Sequence, residues 1–125
     1  MSPLVTDTDQ LRTERSATAH TRTAYSAATL AGQTEIERGD ILCVAQGAPA
    51  PDIKAQYFVG RLAAVIEYRG DYFAQFYDTD GSEYGPKKPL DEVNPADAEL
   101  RKAFGTVTKP HATVTRYVDG SEQVV

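Results

Sequence analysis

Apolar residues enter this chain in two different rhythms. Over residues 1–35 they are sparse: Leu11, Tyr25 and Leu30, with Ile36 just beyond, do not recur at helical spacing, and Ala17 to Tyr25 alternates small residues with threonine. Eight Thr, six Ala and three Ser fill 17 of these 35 positions. Such a segment cannot bury a core of its own, so an extended arm with strand potential is expected over 1–35. From residue 36 the pattern predicts one β-rich domain running to 125. Arg38-Gly39-Asp40 makes a turn, Ile41 to Ala45 a short apolar strand, and Gln46 to Lys54 a loop.

Tyr57 to Tyr68 is the strongest strand signal. Phe58, Leu62, Ala64 and Ile66 fall on one side and Tyr57, Val59, Ala63 and Val65 on the other, so both faces are expected to be covered. Arg69-Gly70 then reverses the chain into Asp71 to Asp78. The expected hairpin sets Tyr68 beside Asp71 and Ile66 beside Phe73, with Leu62 and Phe76 further along. Asp78 to Gly81 forms the next turn, and Ser82 to Leu90, with its lysines and prolines, reads as an edge. Asn94-Pro95 predicts a capped helix over about 95–104, stopped by Gly105, with Ala96, Leu100, Ala103 and Phe104 on one side. His111 to Val118 alternates Thr113, Thr115 and Tyr117 against Ala112, Val114, Arg116 and Val118. The expected class is mainly β: a small SH3-like or β-barrel, or β-rich α+β, domain with one short C-terminal helix and an extended N-terminal arm.

Length and charge narrow the partners. One hundred and twenty-five residues suit a single domain, and a net charge of -5 argues against a phosphate-binding surface, so neither nucleic acid nor membrane is expected. No apolar run approaches a bilayer span and the N-terminus lacks a signal-peptide pattern, which suggests a soluble cytoplasmic product. A single cysteine, Cys43, excludes an intrachain disulfide or a thiolate zinc site.

Candidate chemistry is thin. Asp78, Asp80, Gly81 and Glu83 place oxygens around a turn, but their spacing departs from that of a calcium loop. Two Arg-Gly-Asp tripeptides, at 38–40 and 69–71, each precede an apolar strand, where turn formation accounts for them. Cys43 lies mid-strand, and neither His20 nor His111 forms a nucleophile signature with it. No enzyme, cofactor, metal or small-molecule substrate is expected. Tyr57, Phe58, Tyr68, Tyr72, Phe73, Phe76, Tyr77 and Tyr84 are eight of eleven aromatics within 28 positions, which suits either a core with interface tyrosines or a cage for a methylated cation beside Asp78 or Asp80.

Two resemblances give these residues a context. Gly39 to Val93, with Tyr57-Phe58-Val59-Gly60-Arg61-Leu62 and Tyr72 to Gly81, resembles Tudor and related SH3-like modules; that likeness implies a cage among Tyr57, Tyr68, Tyr72, Tyr77 and Asp78, although Trp is missing. The Thr/Ala-rich arm, the Gly60-bearing strand, the short helix and Gly105-Thr106-Val107-Thr108 are together similar to the small capsid-decoration proteins of tailed phages. This second resemblance implies a non-enzymatic structural subunit of a virion, made in the host cytoplasm. Its partners would be protein chains, as a homo-oligomer or on a capsid lattice. Tyr25, Leu30, Tyr57, Tyr68, Tyr72, Tyr77, Asp78 and Tyr84 are the expected partner-binding residues.

Overall fold

A computed structural model describes residues 5–6, 12–15, 21–25, 27–30 and 34–125, with side chains described at Ala28, Leu30 and from Glu35 onward. Leu11, residues 17–20 and the Tyr25 side chain lie outside what is described. In chain order the strands are β1 (Val5–Thr6), β2 (Arg12–Arg15), β3 (Thr21–Tyr25), β4 (Ala27–Leu30), β5 (Thr34–Glu37), β6 (Ile41–Gly47), β7 (Ile53–Tyr68), β8 (Asp71–Phe76), β9 (Lys87–Pro89) and β10 (Val93–Pro95). The helix α1 (Ala98–Phe104), β11 (His111–Tyr117) and β12 (Glu122–Val124) follow. The chain is thus mainly β with one short helix, and every strand pairing is antiparallel.

β7 organises the large sheet. Its 16 residues extend over roughly 50 Å at about 3.3 Å per residue. The first half lies between β6 and β11, and the second between β3 and β8. The handover sits at Arg61 and Leu62. Arg61 N–H donates to Pro110 O while its carbonyl accepts from Tyr77 N–H, so β8 takes over the side that β11 leaves. On the opposite side Leu62 N–H donates to Asp40 O and its carbonyl accepts from Gly39 N–H. Among the described residues the large sheet ends on β2, β9, β10 and β12, and β1, β4 and β5 form a second, three-stranded sheet.

The predicted hairpin forms with its expected register: Tyr68 opposes Asp71, Ile66 opposes Phe73 and Leu62 opposes Phe76. Arg69 at φ 51 and Gly70 at φ 87 give the two left-handed central residues of the tight turn whose twist matches a hairpin. The predicted faces hold only up to the middle of β7. The pairing steps from Leu62–Phe76 to Ala64–Gln75, leaving Ala63 as an extra residue that reverses the alternation. Leu62 and Val65 therefore share one core, while Ala64 and Ile66 pack in another cluster with Tyr68.

Two main cores lie on opposite faces of the sheet. One joins Leu42, Val44, Phe58, Leu62, Val65, Ala74 and Phe76 to Ala28, Leu30 and Ile36 of the small sheet. Residues 27–30, within the span expected to be an arm, thus supply core side chains: a hairpin of β4 on β5 lays Ala28 opposite Ile36, so small residues suffice. The other core is the underside of α1, with Leu100, Ala103 and Phe104 against Cys43, Val59, Ala112 and Val114.

The helix begins later than its proline suggests. Asn94 and Pro95 belong to β10, which pairs with Cys43 and Leu42; the cap is Asp97, whose Oδ1 accepts from Leu100 N–H at 2.8 Å. Gly105 closes α1 in the right-handed region at φ -66, so a left-handed stop is not what it supplies. β7 also starts at Ile53, inside the span expected to be loop, and in the expected edge Ser82 to Leu90 the regular strand is β9, with Phe76 bonding the backbone of Gly85 and Pro86 before it.

Candidate interaction surface

The residues singled out by the sequence do not converge. Tyr57 packs beside the helix-side core, and the Arg116 guanidinium lies 5.4 Å from its ring centre. Tyr72 packs against the opposite core and Tyr68 against Ala64 and Ile66, with the Arg69 guanidinium 5.2 Å from the Tyr68 ring. Tyr84 is 59% exposed, and Leu30 is buried in the core with Ile36. The Tyr25 backbone pairs with Val65. Tyr77 and Asp78 share a recess, because they follow β8 at the handover on β7.

That recess is an open cleft of about 450 Å³ between the 77–81 turn and the segment after α1, lined by Arg61, Tyr77, Asp78, Phe104, Thr108 and Lys109 among others. The Arg61 guanidinium lies 6.0 Å from the Phe104 ring and donates to Gly39 O at 3.4 Å. His111 Nε2 lies 3.9 Å from Asp78 Oδ1, and the imidazole stacks on Phe58 with centroids 5.7 Å apart. Lys88 Nζ lies 4.8 Å from the Phe58 ring.

The acidic turn directs its oxygens to its own chain. Asp78 Oδ1 accepts from Thr79 N–H, Asp80 Oδ1 accepts from Ser82 N–H, and Glu83 meets Arg38 at 3.3 Å. The Ser82 backbone N–H, followed by its hydroxyl, holds the Asp80 carboxyl below the ordinary range. No trio of His, Cys, Asp or Glu is gathered for a metal among the described residues.

Burial, with the nearby Asp97 carboxylate adding to it and Arg116 opposing, pushes the Cys43 thiol up. Its Sγ faces Pro95 O at 3.9 Å. Both Arg-Gly-Asp segments are turns, with Asp40 Oδ2 accepting from Glu37 N–H in the first.

A cluster that the sequence reading passed over lies at the other end of the sheet. Arg116 Nε donates to Glu122 Oε2 at 2.8 Å, and its Nη2 lies 3.7 Å from Asp97 Oδ1 and 3.5 Å from Glu99 Oε2. The Nη2 nitrogen is buried without a hydrogen bond to protein, so charge alone holds it to those two carboxylates. The Glu122 bond raises the guanidinium above its ordinary value; partial burial opposes this and the neighbouring carboxylates reinforce it. The sequence carried a signal for this cluster: an arginine in the phase of Ala112 and Val114 needs polar partners there.

No protein-family model, curated protein or solved structure matches the chain. No helix among the described residues is long and apolar enough to cross a membrane.

Proposed function

We propose that the protein is a non-enzymatic structural subunit that assembles through added strands, in the manner of a tailed-phage capsid decoration protein, with protein chains as partners in a virion. The observation that carries this reading is the way β3 is held. Thr23, Ala24 and Tyr25 pair with Glu67, Ile66 and Val65 on the far half of β7, remote in sequence, by a ladder of backbone bonds. Strand addition of this kind depends on backbone groups, so a neighbouring subunit can offer or accept the same segment. The alternative, a reader of methylated ligands, would need several of Tyr57, Tyr68, Tyr72, Tyr77 and Asp78 around one cation, and Tyr57, Tyr68 and Tyr72 pack in three different clusters.

The test is native mass spectrometry of the full chain and of a chain lacking residues 1–25, a cut placed before the core residues Ala28 and Leu30. Both forms are also sedimented with empty tailed-phage shells. The full chain is expected to oligomerise or to co-sediment, and the shortened chain to lose that behaviour while staying folded. A monomer that ignores shells in both forms sinks the proposal.

A further inference from the structure

The four ends of the large sheet are not equally protected. β9 carries Lys87, Lys88 and Pro89 and β10 carries Pro95, residues that blunt an edge. β12, with Glu122, Gln123 and Val124, has neither proline nor a cation. Its inner side is fixed by the ladder on β11. Thr113 and Val125 exchange two backbone bonds of 2.9 Å, and Tyr117 N–H donates to Ser121 O. The alternation of an antiparallel ladder then turns the N–H and C=O groups of Glu122 and Val124 outward. Among the described residues nothing pairs with them. Val125, at the end of this edge, is 61% exposed.

Charge says what suits the edge. On its helix side, Asp97, Glu99 and Glu122 surround the single guanidinium of Arg116, and the side chains of Asp97 and Glu99 are 61% and 81% exposed. Three carboxylates around one guanidinium give this cluster a net negative charge, while the basic residues of α1, Arg101 and Lys102, lie in its last turn. Two copies of β12 laid edge to edge would bring the like charges together, which disfavours self-pairing.

We infer that the outer edge of β12 is a docking site for an extended segment of a different protein chain, added as a further strand, with Lys or Arg in the phase that faces Glu99 and Glu122. The inference deepens the assembly reading by naming a surface and a partner chemistry, and it rests on that reading only for the partner's biological setting. The incoming strand would exchange backbone bonds with Glu122 and Val124, and its cation would lie on the rim beside the Arg116 cluster.

The probe is a fluorescein-labelled peptide of alternating lysine and valine, about eight residues long, titrated against the full chain by fluorescence anisotropy at low salt. It is expected to bind below about 1 mM, about tenfold more tightly than the glutamate–valine counterpart, and to weaken as salt is raised. Val124→Pro removes an outward N–H that the native ladder does not use, and should lower affinity about tenfold or more. Should that variant not fold, the same peptide N-methylated at alternate residues reads out the same backbone bonds. Glu99→Gln with Glu122→Gln keeps the Arg116 hydrogen bond and should abolish the preference for lysine.

No binding of the lysine peptide near 1 mM overturns the inference, as does equal binding by a folded Val124→Pro. A dimer that Val124→Pro disrupts overturns it in favour of self-pairing. Peptide failure with shell binding intact removes this edge alone, whereas shell failure with peptide binding intact removes the assembly reading alone.

Discussion

Adding one methyl group at Gly60 tests the packing of the core more sharply than removing a large side chain would. A Cβ built there would lie 2.8 Å from Phe76 Cδ1, 3.3 Å from Phe76 Cγ and 3.1 Å from His111 Cβ. The Phe76 ring covers the bare backbone of Gly60, filling space that a side chain would otherwise occupy. It has nowhere to retreat: Phe76 is fully buried and meets Phe58 edge-on at 4.9 Å. Forcing the extra carbon in should cost about 1–3 kcal/mol, offset by about 0.4–1 kcal/mol from the stiffer unfolded chain, a net loss of about 1.3 kcal/mol from the mid-range values for Gly60→Ala. Urea unfolding should show a lower midpoint at unchanged slope, and the melting temperature should fall by about 4 °C per kcal/mol. Phe76→Leu alone should also destabilise, but it frees the space above residue 60. The double variant should therefore lose at least about 1 kcal/mol less than the two single losses combined. Strict additivity, or a Gly60→Ala protein as stable as the parent, would falsify the account of Phe76 as the lid on that glycine.

Three further expectations follow from local geometry. Asp97→Ala should lower stability by about 1 kcal/mol through loss of the Leu100 N–H bond, while Asn94→Ala, exposed in β10, should change the urea midpoint little; equal effects would return the cap to Asn94. Arg69 occupies the left-handed region without being glycine or asparagine, so Arg69→Asn should raise stability by a few tenths to about 1 kcal/mol in thermal unfolding, less whatever the Tyr68 contact contributes. The raised Cys43 thiol contributes stability in full below the unfolded value near about pH 8.5, and that contribution is lost as pH rises through the folded value. Cys43→Ala should therefore lessen the alkaline fall in urea midpoint, and native Cys43 should react with an aromatic disulfide far more slowly than the unfolded chain.

What the sequence disclosed follows the strength of its local signals. The β7–β8 register was legible because a turn dipeptide and a two-residue period both point to Arg69 and Gly70. The reversal at Ala63 was not, since a bulge residue needs no special side chain and lies in the run Leu62-Ala63-Ala64-Val65, which reads the same in either phase. The start of α1 was hidden by two caps in competition: Asn94-Pro95 has good first-turn chemistry, but pairing of β10 with β6 claims those residues and leaves the start to Asp97. Ala28 and Leu30 escaped as core residues because their burial depends on the pairing of β4 with β5, which two small strands hardly announce. The tyrosines show the limit most clearly. Closeness in sequence along β7 and β8 says nothing about which face each ring takes, and the Arg116 cluster joins β11, β12 and α1 across separations that no local window spans.

The central strand also determines how the molecule bears a mechanical load. Tension drawn through the N-terminal segment enters β7 from β3 on one side of its far half, and tension held by the C-terminal hairpin leaves through β11 on the other side of its near half. Those two ladders share no cross-strand residue, and the backbone of β7 around Arg61 and Leu62 is one path that joins them. Hydrogen bonds loaded along the strand resist together, in shear, whereas an edge pulled sideways gives way one bond at a time. A protein built in this way would carry part of a stretching force along β7 while its lateral edges stayed easy to peel and to re-form.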